Sequence, residues 1–396
     1  MSARIPFFQH DLGEPEIEAL TAALRDAILT TGDTVAEFER RFAAMLGVPH
    51  AIGVTSCTAA LHLALLAVGV RPGDEVITTP MTFVATASAV LQAGATPVFV
   101  DVEPGTGNLD ATQVEAAIGP RTRAIVPVHL FGQMCDMRAL RAIADRHGLA
   151  LIEDAAHCIE GRRDGVGVGE LSDAACFSFY ATKNMTSGEG GAVVTRDADR
   201  AAHLRLLRQQ GLTSGAAERE RHGYRHRDMV TMGWKYNMYN LQAALLLPQL
   251  DRLGANLARR AALAARYAAR LADVPHVTVP PVVPGVEHAW HVFAVRVDGI
   301  PRDALVDALQ EAGVGVTVHY YPPVHLTGFF RETFGHRPGS HPVAERIAET
   351  TLSLPFYPAM PWSHVDEVAE RMARCVSILA GRDEPVVRSA ARGEGT

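Results

Sequence analysis

Three short stretches concentrate side chains able to do chemistry: "VTSCTAAL" (54–61), "LIEDAAH" (151–157) and "FSFYATKNMTSGEGG" (177–191). In the third, Lys183 follows a short alternating strand and precedes a glycine-rich turn. A partly desolvated lysine has its pKa lowered toward neutrality. Its amine can then form a Schiff base with a carbonyl and later act as a general base. The plainer alternative is a solvated lysine beside a turn. Asp154 closes an apolar run, where an unpaired carboxylate is costly to bury. It needs a cationic partner, such as a protonated heterocyclic nitrogen or a structural arginine, unless it serves as an N-cap. His157 can donate to the same ligand or be a satisfied core histidine.

The first stretch passes from strand to helix. Amides near Cys57 and Thr58 lack partners within the helix and, with its dipole, form an anion site suited to phosphate. A plain N-cap at Ser56 is the alternative. In "CFSFY", Phe177 and Phe179 share one face as packing residues, and Ser178 presents its hydroxyl on the other. Phe83 opens a helix after "EVITTP", where its ring lies against a flat ligand or packs in the core. Glycines 188, 190 and 191 allow the backbone to approach such a ligand closely. Pyridoxal 5'-phosphate suits all three parts together: a phosphate cradle, an acid at a strand end and a lysine on a later strand-turn. The lysine holds its aldehyde and the acid keeps its ring nitrogen protonated.

These residues need a scaffold that gathers strand ends. The runs "HAIGVTS", "EVITTP", "TPVFVDV", "RAIVPVHL" and "LALIEDA" are strand-like, and helical stretches such as 83–93 and 136–147 separate several of them. That alternation predicts an α/β fold with a mostly parallel sheet flanked by helices. Its ligands gather beyond the carboxyl ends of the strands. Helical periodicity also marks 14–29, 34–46, 197–210, 238–253 and 255–272. A second unit begins near Pro280, with the strand "HVFAVRV", a helix over 302–312, the strand "GVGVTVHY" and a helix over 342–351. The expected division is a large cofactor-binding domain over 1–255, including the N-terminal helical segment, and a smaller C-terminal α/β domain over 256–381. A polar tail, 382–396, is expected to be mobile.

Composition narrows the function further. A formal net charge of −7 over 396 residues argues against a nucleic-acid surface. No apolar run is long enough to span a membrane, and the N-terminus lacks a signal-peptide pattern. Five cysteines, an odd number without a CxxC pair, fit reduced thiols in a cytoplasmic protein better than disulfides or zinc. No metal site is expected.

Further blocks follow in order: "SCTAALHLALLAVGVRPGDEVITTPMTFVATASAVLQAGATPVFVDVEP", "RTRAIVPVHLFGQMCDM", "HGLALIEDAAHCIEG", "DAACFSFYATKNMTSGEGGAVVT", "NMYNLQAALLLPQLDRL", "GVTVHYYPPVHL" and "LSLPFYP". With them the chain, from about residue 5 to 378, resembles the sugar aminotransferases of the DegT/DnrJ/StrS type, among the fold-type-I pyridoxal-phosphate enzymes. The resemblance implies that Lys183 binds the cofactor aldehyde covalently and that Asp154 meets the ring nitrogen. It places Phe83 over the ring and Thr58 with Ser178 at the phosphate. Asn237 resembles a residue that reaches the phosphate from the neighbouring subunit of a homodimer with shared active sites. His319 and the "YYPPVHL" loop, with Tyr321, resemble the part of the small domain that lines the substrate cavity.

Three positions depart from the family pattern. Cys57 takes the middle place of a frequent Ser-Gly-Thr turn; its backbone amide survives as a donor unless φ there must be positive. His157 stands where glutamine is frequent; either can hydrogen-bond the ring's phenolic oxygen, but histidine adds a titratable group. "YNM" lacks the arginine of a frequent Asn-Tyr/Phe-Arg-Met, which leaves open how the amino donor's carboxylate is held.

The implied activity is transfer of an amino group from L-glutamate to a ketosugar in amino-sugar biosynthesis. A nucleotide-linked 4-keto- or 3-keto-6-deoxyhexose is the expected acceptor. A ketosugar dehydratase is one alternative, although relatives with that chemistry can replace the lysine by histidine, and Lys183 argues against it. An aminotransferase for a keto-cyclitol is another. A non-catalytic regulator is disfavoured, because no helix-turn-helix or basic appendage is present. The loop 213–228 is expected to carry much of the choice of acceptor.

Overall fold

Seven apolar runs become one sheet in the computed structural model, which describes residues 4–213 and 226–381. The strands are β1 (His50–Val54), β2 (Glu75–Thr78), β3 (Thr96–Phe99), β4 (Thr122–Val126), β5 (Ala150–Asp154), β8 (Ala174–Ser178) and β9 (Gly191–Thr195). The short hairpin β6 (Arg162–Arg163) and β7 (Val166–Gly167) stands apart from it. The order across the sheet is β1-β9-β8-β5-β4-β2-β3. β9 is antiparallel to both its neighbours, and the remaining pairs are parallel. The carboxyl ends of β1, β5 and β8 therefore meet the start of β9 at one edge.

Alternation along each strand feeds two cores. Ile77, Ile125, Leu151, Phe177 and Val194 belong to one, while Val76, Ala124, Ile152, Cys176 and Val193 belong to the other. Phe177 and Phe179 share a face as expected; both rings stand edge to face against Phe42, with ring centroids 5.1 and 5.5 Å apart. Burying each such ring contributes about 1.5–3 kcal/mol. This holds the helix Asp33–Leu46, which carries Phe42, against the sheet.

The second unit is built on β10 (Val277–Thr278), β12 (Phe293–Val297) and β13 (Thr351–Leu354), in the order β10-β12-β13. Between the first two in sequence, β11 (Val286–Glu287) pairs with β6 instead. Helices Arg302–Glu311 and Trp362–Ala380 cover the core of this unit. Ile5 joins that core as well, bonded through its backbone to Gly313 and Gly315.

Three elements differ from the sequence reading. The helices expected at 238–253 and 255–272 are one helix, Asn240–Leu271, that runs straight across residue 255. Its Ala243, Leu246 and Leu253 pack in the large core, and Leu263, Tyr267 and Leu271 in the small one. Each half has its own apolar stripe, so periodicity suggested two elements where a continuous backbone serves both. The segment 313–320 is not a strand. It makes isolated bridges from Val314 to Ile5 and from Thr317 to Ser353, then turns toward the sheet edge. Gly315 passes so close to the Phe7 amide that a Cβ there would lie 2.6 Å from it. The helix Trp362–Ala380, with Val365, Val368, Ala369, Met372 and Val376 buried, lies beyond the elements that periodicity singled out. The tail 382–396 and most of the loop 213–228 lie outside the described residues.

Candidate active site

The strand ends open into a cavity of about 470 Å³ between the two units. Cys57, Thr58, Phe83, Asp154, His157, Ser178, Lys183 and His319 all line it, so most of the residues singled out in the sequence meet in one place.

β1 gives way to the helix Cys57–Ala67, where the Ser56 hydroxyl accepts the Ala59 amide at 3.1 Å. The N-cap reading is thus correct, and it leaves the Cys57 and Thr58 amides without an acceptor inside the helix. Cys57 is not among the residues with positive φ, so a non-glycine residue is unstrained there. Gly191 opens β9 directly beneath this turn; a Cβ on it would lie 2.4 Å from the Ser56 carbonyl carbon. The glycines here thus answer a close approach of protein to protein. Gly190 likewise faces Ser187 and Phe179, so the expected approach to a flat ligand does not explain either position.

Asp154 ends β5 and is 4 % exposed. One carboxylate oxygen accepts the Thr86 hydroxyl at 2.8 Å, and the other accepts the Ala156 amide at 3.1 Å. Burial raises its pKa, while those hydrogen bonds and the Lys183 ammonium act in the opposite direction. Among the described residues no arginine pairs with it. The group therefore gains from a cation brought into the cavity. Lys183 follows the β8 strand in the next turn, its amide bonded to the Tyr180 carbonyl. Burial pushes its amine down to about 8, against the pull of Cys57 and Asp154.

His157 accepts the Phe131 amide at Nδ1, 3.2 Å away. Its proton must then reside on Nε2, which donates to the Tyr320 hydroxyl at 3.1 Å. Burial lowers its pKa well below the usual value, with help from Lys183 and His319. The titratable group expected at this position is thus a neutral, fixed tautomer. His319 bonds Ser353 at 2.8 Å and is pushed down to about 4 by burial and by Lys183.

Two residues fall elsewhere. Tyr321 is 54 % exposed and lies beneath the Arg302 guanidinium, 4.9 Å from its ring centre. Its neighbour Tyr320 lines the cavity in its place, with its ring 5.8 Å from that of Phe83. The departure of 313–320 from strand geometry removed the alternation that would have distinguished the two tyrosines. Asn237 lines a separate cavity of about 210 Å³, where it donates to Thr31 and accepts from Lys235. Sequence reasoning missed Thr86, one turn beyond Phe83, and His291, whose side chain enters from the second unit.

The residues fit pyridoxal phosphate. An uncapped pair of amides suits its phosphate, a buried carboxylate without a strong cation suits its ring nitrogen, and a lysine of depressed pKa suits its aldehyde.

Comparison with known proteins agrees. Residues 10–373 match the model of the DegT/DnrJ/EryC1/StrS aminotransferase family. The spore coat polysaccharide biosynthesis protein SpsC of Bacillus subtilis is 42% identical over 385 residues, covering 96% of this chain and 98% of its own. The fold matches the sugar aminotransferase Spr1654 of Streptococcus pneumoniae in its PMP-form, a protein described as putative in function, with a TM-score of 0.90 and 30% identity. That match covers 95% of this chain and 100% of the other. It also matches DesI in the presence of its TDP-sugar product, with a TM-score of 0.85 and 36% identity over 96% and 94% of the two chains. Strand order, cavity and sequence together place this chain in the DegT/DnrJ/EryC1/StrS aminotransferase family, as a pyridoxal-phosphate-dependent aminotransferase.

Proposed function

We propose that the protein moves the amino group of L-glutamate to a nucleotide-linked ketosugar, a 4-keto- or 3-keto-6-deoxyhexose, as a cytoplasmic homodimer. The observation that carries this reading is a single cavity holding the Lys183 amine, pushed down to about 8, beside the buried Asp154 carboxylate. When bound, pyridoxal phosphate supplies an aldehyde and an electron-withdrawing ring that accepts the electron pair freed at the donor carbon.

The chain's own residues do the rest. Lys183 holds a useful fraction of free base at neutral pH, so it can attack a carbonyl and, once released, carry a proton at the substrate carbon. Asp154 would hold a proton on the ring nitrogen of the bound cofactor, keeping that ring positively charged. The Cys57 and Thr58 amides, with the Ser178 hydroxyl, would hold the phosphate. Phe83 offers a ring to cover one face. Tyr320 and His319 form the wall contributed by the second unit, where the sugar would enter.

SpsC acts in polysaccharide biosynthesis by its name, which supports a sugar acceptor, and DesI was solved with a TDP-sugar product, which supports a nucleotide-linked one. The separate position of Asn237 supports its service to the partner's site. All five cysteines are free thiols, which supports a reducing compartment. Among the described residues no helix is long and apolar enough to cross a membrane. The test is to mix the loaded enzyme with L-glutamate, follow its absorbance, then add a panel of keto-sugar nucleotides. Bleaching by glutamate and recovery with one sugar are expected. Recovery with no keto-sugar would overturn the acceptor class, and deoxygenation without glutamate, using added pyridoxamine phosphate, would identify a dehydratase.

A further inference from the structure

We infer that His291 is a positioning residue for Lys183: a neutral imidazole that holds the lysine amine by accepting a hydrogen bond at Nε2. This rests on the reading of Lys183 as the reactive amine and adds a residue that neither composition nor motif singled out. His291 is 5 % exposed and its Nε2 lies 3.5 Å from the Lys183 Nζ. Its ring packs against that of His157, with centroids 4.4 Å apart.

Below about pH 8 Lys183 is an ammonium, which can only donate, so Nε2 is then the acceptor and Nδ1 bears the proton. Nδ1 is buried without a partner among the described residues. A buried unpaired donor costs about 1–3 kcal/mol, a cost that apolar packing would avoid; the contact at Nε2 gives the position a use. The groups facing the ring keep it uncharged. Burial comes first, and the Lys183 and Arg260 cations act in the same direction, with the uncharged His157 and His319 beside them, so its pKa is well below the usual value. Neutrality matters for the chemistry. A carboxylate at this place would hold Lys183 as an ammonium. A neutral acceptor takes one N–H of the amine and leaves its lone pair free for attack or proton uptake.

The backbone around His291 is built for this placement. Its amide donates to the Phe131 carbonyl at 3.0 Å, and its carbonyl accepts from Arg260 at 3.4 Å. Trp290 holds a φ of 47°, uncommon for a bulky residue. Gly132, with φ 107°, lies where a Cβ would come within 2.8 Å of the Trp290 amide and 3.1 Å of the His291 amide. A segment of the second unit is thus clamped onto the large one directly behind the lysine, and His291 is the side chain that the clamp delivers.

The test reads the amine itself, without the cofactor. The chain contains only two lysines, Lys183 and Lys235, so pulse acylation of the cofactor-free protein followed by peptide mass spectrometry resolves each. Labelling rate against pH gives the pKa of Lys183, with Lys235 as internal control. Wild type should titrate near 8 at Lys183. His291→Leu removes the acceptor and should lower that value by about half a unit, because a hydrogen bond to the charged form favours it. His291→Gln, which can set an oxygen near the Nε2 position, should restore it, and His291→Asn, too short to reach, should not. If His291→Leu fails to fold, the glutamine and asparagine pair decides. Equal values in the two, both matching wild type, would overturn the role of His291. A wild-type Lys183 that titrates like Lys235 would instead overturn the reading of the lysine.

Discussion

The Tyr320 hydroxyl, delivered by the second unit, lies 3.1 Å from Nε2 of His157, which sits just beyond the end of β5 in the first. With Nδ1 of His157 occupied by the Phe131 amide, this contact has one polarity: the imidazole donates and the phenol accepts. The phenolic proton is then free to point into the cavity. Tyr320 thus joins the two units and presents a donor to whatever enters between them.

Tyr320→Phe leaves the His157 N–H buried without a partner. The cofactor-free variant should lose about 1–3 kcal/mol of stability in urea unfolding. A Tyr320→Phe protein as stable as wild type would show that the hydrogen bond is not formed.

Asp154 is held above the usual aspartate pKa by burial. Between its unfolded and folded values the native state binds the extra proton, so this group's contribution to stability falls as pH rises through that window. Its ionised form is therefore a burden on the cofactor-free protein at pH 7. Asp154→Asn should melt at or above wild type without cofactor, yet bind pyridoxal phosphate about ten- to a hundredfold more weakly. Equilibrium dialysis and thermal melts read the two effects, and unchanged cofactor affinity would contradict the role given to the carboxylate.

For Lys183 the sign reverses. Its amine is pushed from 10.5 down to about 8. Between those values the unfolded chain binds a proton that the folded one releases, so stability should rise with pH across the window and the penalty is fully present below about 8. Lys183→Met, cofactor-free, should melt above wild type at pH 7, with the gap narrowing toward pH 10. A variant that melts lower at pH 7 would contradict the burial of this amine.

Gly132→Ala tests the clamp behind the site. The added methyl meets backbone amides at 2.8 and 3.1 Å and must also occupy positive φ. Strain of about 1–3 kcal/mol is expected. Cofactor binding should weaken as Trp290 and His291 shift, and a protein indistinguishable from wild type in melt and binding would show that the two units are not pinned there.

The large unit was legible because its strands are buried on both faces and end in polar residues. The sequence alone places Asp154, Ser178 and Lys183 at one edge, since parallel strands share a direction. Thr58 and Phe83 followed from the same geometry. The second unit's contribution was less readable. Tyr320 and Tyr321 are adjacent, and only the irregular path after Gly315 determines which one enters the cavity. His291 stands at the mouth of β12 in a run that reads as plain strand, and nothing local marks the approach of Phe131 and Gly132 from elsewhere in the chain. Asn240–Leu271 hid its continuity because its two halves face different cores.

The most direct measurement uses the scarcity of lysine in this chain. The protein is loaded with pyridoxal 5'-phosphate, reduced with borohydride, digested and analysed by mass spectrometry. The pyridoxyl mass is expected on the peptide containing Lys183 and on no other. Its appearance on Lys235 or on the N-terminal amine, or no adduct at all in a protein that binds the cofactor, would contradict the account.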